Sequence, residues 1–166
     1  IWITPGKIKS QPITCTTLCE HENWAPERDA LAADDSYSYF YSEDEIHITV
    51  LSIVSCNVDY VASPDDLQHF RDVTRACIGE TGRFDLPFSG LTLSAGGVLA
   101  QGFDSSGALD RLRQRLRTAL QESSGATVDQ RYVIKTAHST LMRFRKPVDH
   151  GEELVAFVKD RRDTDF

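Results

Sequence analysis

The sequence predicts an α+β domain built as a duplicated unit with pseudo-twofold symmetry. One observation is the order of the predicted elements, which runs strands, helix, strands, helix, strands, helix along 166 residues. The other is a short pattern that occurs twice: a His, one intervening residue and a Thr. The two copies begin at His47 and His138, 91 residues apart, and each lies in a predicted strand that is followed by a helix. The motif and its setting indicate the duplication, because the halves lack extended identity.

The first half combines short strands with one helix. Segment 36–41 alternates polar and aromatic residues, which predicts a strand or a sheet edge, and 46–54 is a β-branched run typical of a strand. A helix begins after Ser63, because Ser63 can cap it, Pro64 suits its first position and Asp66 can complete a capping box. We expect it to end at the glycines that follow, Gly79 and Gly82.

The second half repeats the alternation of strands and helices. Its predicted helices follow from leucines at helical spacing and from a cap signature, and its strands follow from alternating or continuous apolar residues. The predicted elements are strands at 84–88 and 91–93 that meet near Ser89-Gly90, a strand at 98–100 after the Gly96-Gly97 turn, a helix at 106–122, strands at 131–134 and 137–144, and a last helix that begins near Asp149.

The composition restricts the classes of function. Hydrophobic residues make up 40% of the chain and charged residues 26%, as in soluble globular proteins, and no apolar run is long enough to span a bilayer. The net charge of −7 argues against a long nucleic-acid footprint, while a small nucleotide or a single RNA end needs only a few local donors. Four cysteines are too few for a disulfide scaffold. We therefore expect a cytoplasmic monomer with free thiols and no membrane partner.

The repeated motif suits acid–base chemistry on a phosphate. Successive side chains of a strand point to opposite faces, so His47 and Thr49 share one face, about 6–7 Å apart, and so do His138 and Thr140. With an ordinary pKa near 6.5, one imidazole can remove a proton from the attacking oxygen while the other protonates the leaving oxygen. A Thr hydroxyl can donate to a non-bridging oxygen, where charge develops. This chemistry needs neither a metal nor another cofactor.

The two motifs, His47-Ile48-Thr49-Val50 and His138-Ser139-Thr140-Leu141, resemble the paired signatures of the two-histidine (2H) phosphoesterase superfamily. That superfamily includes the LigT-like "2′-5′ RNA ligase" proteins and the cyclic phosphodiesterases. The spacing of the copies and the order of helices and strands between them are also similar. The resemblance covers residues 44–160, and the N-terminal 40 residues add nothing to it.

The resemblance implies one bilobal domain over residues 1–166, with motif one in 46–51 and motif two in 137–142. Antiparallel sheets would line a central cleft, with helices outside. It implies His47 and His138 as the catalytic pair and Thr49 and Thr140 as substrate-binding residues. The implied activity is metal-independent hydrolysis of a small nucleotide or RNA-end phosphodiester, such as a 2′,3′-cyclic phosphate or a 2′-5′-linked or cyclic oligonucleotide. The substrate, the acid and base assignment, and ligation as against hydrolysis stay open.

Other readings of the sequence remain beside this one. A nucleotide- or RNA-binding module of the same fold with little catalysis is the main alternative, and a structural domain with two internally packed histidines is a third.

The four arginines of the second helix favour a solvated face. Strict alternation points Arg143 and Arg145 away from His138, and a bend in the strand would change that direction. Because residues 143–146 directly follow the second motif, they are kept as candidate neighbours of the phosphate or substrate. The tyrosines at 37, 39 and 41 are interpreted as packing residues rather than base-stacking ones. The spacing Cys15-x-x-x-Cys19-x-His21 matches no usual zinc pattern, and His69 and His150 are interpreted as ordinary surface or packing residues.

Overall fold

The computed structural model describes residues 2–3, 38–41, 45–53, 63–124, 133–149 and 151–165. These residues form an α+β fold with an antiparallel sheet, which confirms the predicted class. The strands are β1 (Trp2–Ile3), β2 (Ser38–Phe40), β3 (Ile48–Thr49), β4 (Phe88–Ser94), β5 (Gly97–Gly102) and β6 (Ala137–Phe144), and the helices are α1 (Pro64–Thr81), α2 (Ala108–Ser124) and α3 (Gly151–Asp160).

The sheet places the two strands that carry the motifs next to each other. Its order is β1-β3-β6-β5-β4, and every pairing is antiparallel. Strand β2 also pairs with β6, so β2 and β3 follow one another along the same edge of that strand. The described residues therefore contribute one sheet, and the bilobal arrangement with a sheet in each lobe stays a prediction.

Helix α1 begins where its capping signals predict. The Ser63 hydroxyl accepts a hydrogen bond from the Asp66 amide, and the Asp66 carboxylate accepts one from the Ser63 amide, which completes a capping box with Pro64 in the first turn. The prediction that Gly79 takes part in the end is wrong. The helix continues to Thr81 and stops at Gly82, whose positive φ of 73° suits a residue without a Cβ.

The helix predicted at 106–122 is observed as α2, two residues later at both ends. Side chains of the preceding loop set its start, because Asp104 accepts from the Leu109 amide and Ser106 accepts from the Ala108 amide. Four leucines of α2 are almost completely buried and join the hydrophobic cluster under the sheet. These are Leu109, Leu112, Leu116 and Leu120.

Several strand predictions differ from the structure in extent. Of the strand predicted at 84–88, only Phe88 takes strand conformation. Over its described part, 46–53, the run predicted at 46–54 is paired only at Ile48–Thr49, while Ile46 and Val50 on either side are buried without belonging to a strand. The predicted break near Ser89-Gly90 is instead a register irregularity inside the continuous strand β4. Residues 133–135 take no strand conformation, so the strand predicted at 131–134 is wrong over its described part, 133–134. No helix of the described segments is long and apolar enough to cross a membrane.

Candidate active site

The side chains of both motifs lie on one face of the sheet. Ile48 of β3 is directly opposite Ser139 of β6, and both are buried toward the core. Their neighbours along each strand therefore point to the other face, where each is half-buried. Those neighbours are His47, Thr49, His138 and Thr140.

The register also sets which motif residues face each other. Antiparallel pairing about Ile48 and Ser139 places Thr49 opposite His138 on one side of this pair and His47 opposite Thr140 on the other. The two histidines are then diagonal neighbours, about 7–8 Å apart across the strands. A hydrogen bond from the Ser139 hydroxyl to the His47 carbonyl, 3.0 Å long, joins the two motifs at this point. The four polar side chains thus form one cluster on this face of the sheet.

The ring of His47 has a defined hydrogen position. Its Nδ1 lies 2.6 Å from the Glu45 carbonyl oxygen, which can only accept, so Nδ1 carries a hydrogen. The Nε2 atom is therefore the ring position that can gain or lose a proton in catalysis.

His138 has a different environment. Its Nδ1 lies 3.2 Å from the Thr136 hydroxyl, which can accept a hydrogen bond from Nδ1–H or donate one to Nδ1. In the tautomer with the hydrogen on Nδ1, Nε2 is the atom that accepts a proton. Burial lowers the pKa of His138 below its ordinary value, and the positive charge of Arg113 and the neighbouring His47 lower it further. The imidazole of His138 is thus held in its neutral form at neutral pH, the form that accepts a proton.

Arg113 of α2 is a site residue that sequence reasoning missed. It was expected on a solvated helix face, but its side chain is 3% exposed and forms hydrogen bonds with the backbone of both motif strands. A signal was present in the sequence. At 100° per residue, Arg113 falls just beyond the edge of the arc of the α2 leucines, beside Leu120, whereas Arg111 falls on the far side of the helix.

A bulge in β6 changes which way the residues after the second motif point. Val98 of β5 pairs with Met142 and Leu99 pairs with Thr140, so Leu141 is an extra residue in β6. An extra residue resets the alternation of the strand. The expectation that Arg143 points away from His138 is therefore wrong, as the contacts of its cross-strand partner show.

Those contacts form an aromatic flank beside His47. Tyr39 of β2 is directly opposite Arg143, and its ring meets that of Tyr41 edge-on at 5.1 Å between centroids. The Tyr41 ring in turn meets the His47 imidazole at 6.4 Å, and the Arg145 guanidinium lies 4.8 Å from the Tyr39 ring centroid. We call Tyr39, Tyr41, Arg143 and Arg145 the aromatic flank. Tyr37 lies outside the described residues.

A cleft of about 720 Å³ opens on the other side, next to His138. It is lined by Thr92, Leu99 and Gln101 of β4 and β5, by the loop before α2 and the first turns of that helix, and by the segment before β6. Phe103 at its rim is 51% exposed, which is unusual for a large aromatic residue. The residues that line the cleft include Thr92, Leu99, Gln101, Phe103, Asp104, Asp110, Arg113, Lys135, Thr136 and His138.

Metal ligation finds no support in the described segments, where no group of three or more His, Cys, Asp and Glu side chains is placed to hold an ion. Cys15, Cys19, His21 and His150 lie outside them. His69 has a packing role, because its Nε2 lies 2.9 Å from the Ser123 hydroxyl and links α1 to α2.

No protein-family model matches the chain, and no curated protein matches it either. The functional argument therefore depends on the geometry of the site.

Proposed function

We propose that this protein is a metal-independent phosphodiesterase of the two-histidine type. The observation that carries the proposal is the convergence of both His-x-Thr motifs on one sheet face, with each Thr opposite the His of the other motif. The antiparallel pair of strands has a local twofold axis between Ile48 and Ser139, so it offers a phosphate two equivalent sets of ligands. This local symmetry supports the further proposal of a bilobal, LigT-like fold.

His138 is the proposed general base. Its lowered pKa keeps the imidazole neutral, so Nε2 can take the proton of an attacking water or sugar hydroxyl. The oxygen then attacks phosphorus and the bond from phosphorus to the leaving oxygen breaks. His47, entering the step as imidazolium, gives its Nε2 proton to the leaving oxygen. The net result moves one proton across the site, and exchange with solvent restores both rings.

The two threonines are the proposed phosphate ligands. Thr49 and Thr140 are half-buried between the histidines, where a hydroxyl can donate to a non-bridging oxygen. Charge on those oxygens grows in the transition state, so donors positioned beforehand lower the barrier. Loss of either hydroxyl should therefore reduce kcat more than it raises KM.

The surroundings of the histidines support a nucleotide substrate. The aromatic flank beside His47 combines tyrosine rings with two guanidinium groups, which suit a base and a second phosphate. The cleft beside His138 combines polar side chains such as Gln101 and Asp110 with an apolar surface, a combination that suits a ribose. We favour a 2′,3′-cyclic phosphate or a 2′-5′-linked oligonucleotide, bound by a monomer in the cytoplasm. A binding module with little catalysis is the alternative.

A substrate panel tests the proposal. The protein is incubated with EDTA and either 2′,3′-cyclic nucleotides or 2′-5′ dinucleotides, and the products are separated by chromatography. We expect turnover that His47→Ala and His138→Ala each abolish. His69→Ala is the matched control, because it removes an imidazole bonded only between helices. Binding without turnover would favour the alternative, and full activity in either motif variant would remove that histidine from its role.

A further inference from the structure

Arg113 is a buried cation whose contacts connect the two motifs. Its side chain is 3% exposed, while the carboxylate of its ion-pair partner Asp110, 3.3 Å away, is 71% exposed. A buried charge is costly unless its donors are satisfied. The remaining hydrogen bonds of Arg113 therefore account for its position.

Those hydrogen bonds all go to backbone carbonyl groups in β3 or directly next to β3 and β6. The Nε atom donates to the Val50 carbonyl at 3.0 Å, and Nη2 donates to the carbonyls of Thr49 and Thr136 at 3.3 and 2.8 Å. Thr49 is two residues from His47, and Thr136 is two residues before His138. With the contact to Asp110, four of the five guanidinium N–H groups have an acceptor.

We propose that Arg113 is a positioning residue that holds the two motif strands at their working separation and brings a fixed positive charge to the cleft beside His138. The inference rests on the proposed acid–base roles of the two histidines. Lysine could not replace it, because a compact ammonium group cannot reach three carbonyls on two strands with a planar fork. Nothing places Arg113 in contact with the reacting atoms, so its action is exerted through the strands and through its charge.

The charges around His138 allow this role to be separated from others. Arg113 approaches from α2 and His47 from the neighbouring strand, and both lower the pKa of His138 in addition to burial. Asp104, Asp110 and Lys135 line the same cleft. Of these groups, Arg113 is the one that is buried, so salt screens its charge least.

The test combines a titration with kinetics. The C2–H resonance of His138, assigned by its loss in His138→Gln, is followed by NMR against pH in wild type, Arg113→Met and Arg113→Lys. Arg115→Met is the matched control, because Arg115 lies on the same helix but pairs with Glu80 and Thr81 instead of the strands. Turnover of a 2′,3′-cyclic nucleotide is measured over the same pH range.

We expect the titration midpoint of His138 to rise in Arg113→Met and to stay at the wild-type value in Arg115→Met. In both Arg113 variants kcat should fall, by about 100-fold for a displacement near 1 Å, with little change in KM. In Arg113→Met, the pH at which turnover falls on the acidic side of the pH–rate profile should rise together with the titration midpoint of His138. If Arg113→Met does not fold, Arg113→Gln removes the same charge and takes its place.

A folded neutral variant whose His138 titrates as in wild type would overturn the inference, and so would wild-type kcat in Arg113→Lys. The titration needs no turnover. A protein without phosphodiesterase activity but with the expected shift would therefore disprove the proposed function, while the effect of Arg113 on His138 would still be measured.

Discussion

Replacement of Ser139 by alanine tests the junction between the two motifs. Ser139 occupies the variable position of the second motif, so the motif pattern predicts no special role for it. In the structure its side chain is completely buried and its hydroxyl donates to the His47 carbonyl at 3.0 Å. Ser139→Ala removes this donor and leaves a carbonyl of the other motif without it.

The magnitude follows from the environment of the bond. A lost hydrogen bond costs about 0.5–1.5 kcal/mol, and an acceptor left unsatisfied in a buried site costs about 1–3 kcal/mol. We expect a decrease of about 1–2 kcal/mol in the free energy of unfolding. In a chain of this length that corresponds to a decrease in Tm of about 2–8 °C. His47 also loses its anchor, so kcat should fall by about 10- to 100-fold.

Urea unfolding followed by circular dichroism measures the stability, and the cyclic nucleotide assay measures kcat. Ser94→Ala is the control, because the Ser94 hydroxyl also donates to a backbone carbonyl, that of Gly97, but Ser94 is exposed at the end of β4. We expect that control to stay within about 0.5 kcal/mol of wild type. Equal stabilities of the two variants would refute the view that Ser139 joins the motifs.

Three further outcomes are expected. Ser63→Ala should cost about 1 kcal/mol by urea unfolding, because it removes the capping hydroxyl of α1; an unchanged midpoint would contradict the capping box. Because the pKa of His138 is lower in the folded protein than in the unfolded chain, the unfolded chain binds a proton at this histidine at a higher pH than the folded protein does. The free energy of unfolding should therefore decrease from pH 7 to pH 5 more in wild type than in His138→Gln. If the urea midpoints of the two proteins decreased by the same amount between pH 7 and pH 5, this prediction would be refuted. Gly97→Ala should cost about 1–3 kcal/mol, since its Cβ would lie 1.9 Å from the Met142 carbonyl oxygen, whereas Gly96→Ala, whose Cβ would meet nothing closer than 4.0 Å, should melt as wild type.

Local signals in the sequence were sufficient for the helices and for the faces of the motif strands. The start of α1 follows from Ser63, Pro64 and Asp66, which interact within four residues of chain. The apolar stripe of α2 follows from helical periodicity. The shared face of each His and Thr follows from the two-residue repeat of a strand. All of these depend on neighbours along the chain, which the sequence lists directly.

Contacts between distant segments were decided by the tertiary structure. The sequence could not specify that β3 and β6 are neighbours or that Ile48 is opposite Ser139, because a strand pairs through backbone groups common to every residue. The direction of Arg143 depends on a bulge that only the register with β5 reveals. Arg113 was assigned to the solvent side because burial of a charge depends on acceptors supplied by strands more than 20 residues away along the chain. The motif residues could thus be predicted from local patterns in the sequence, while their arrangement in the site depended on how the segments pair and pack.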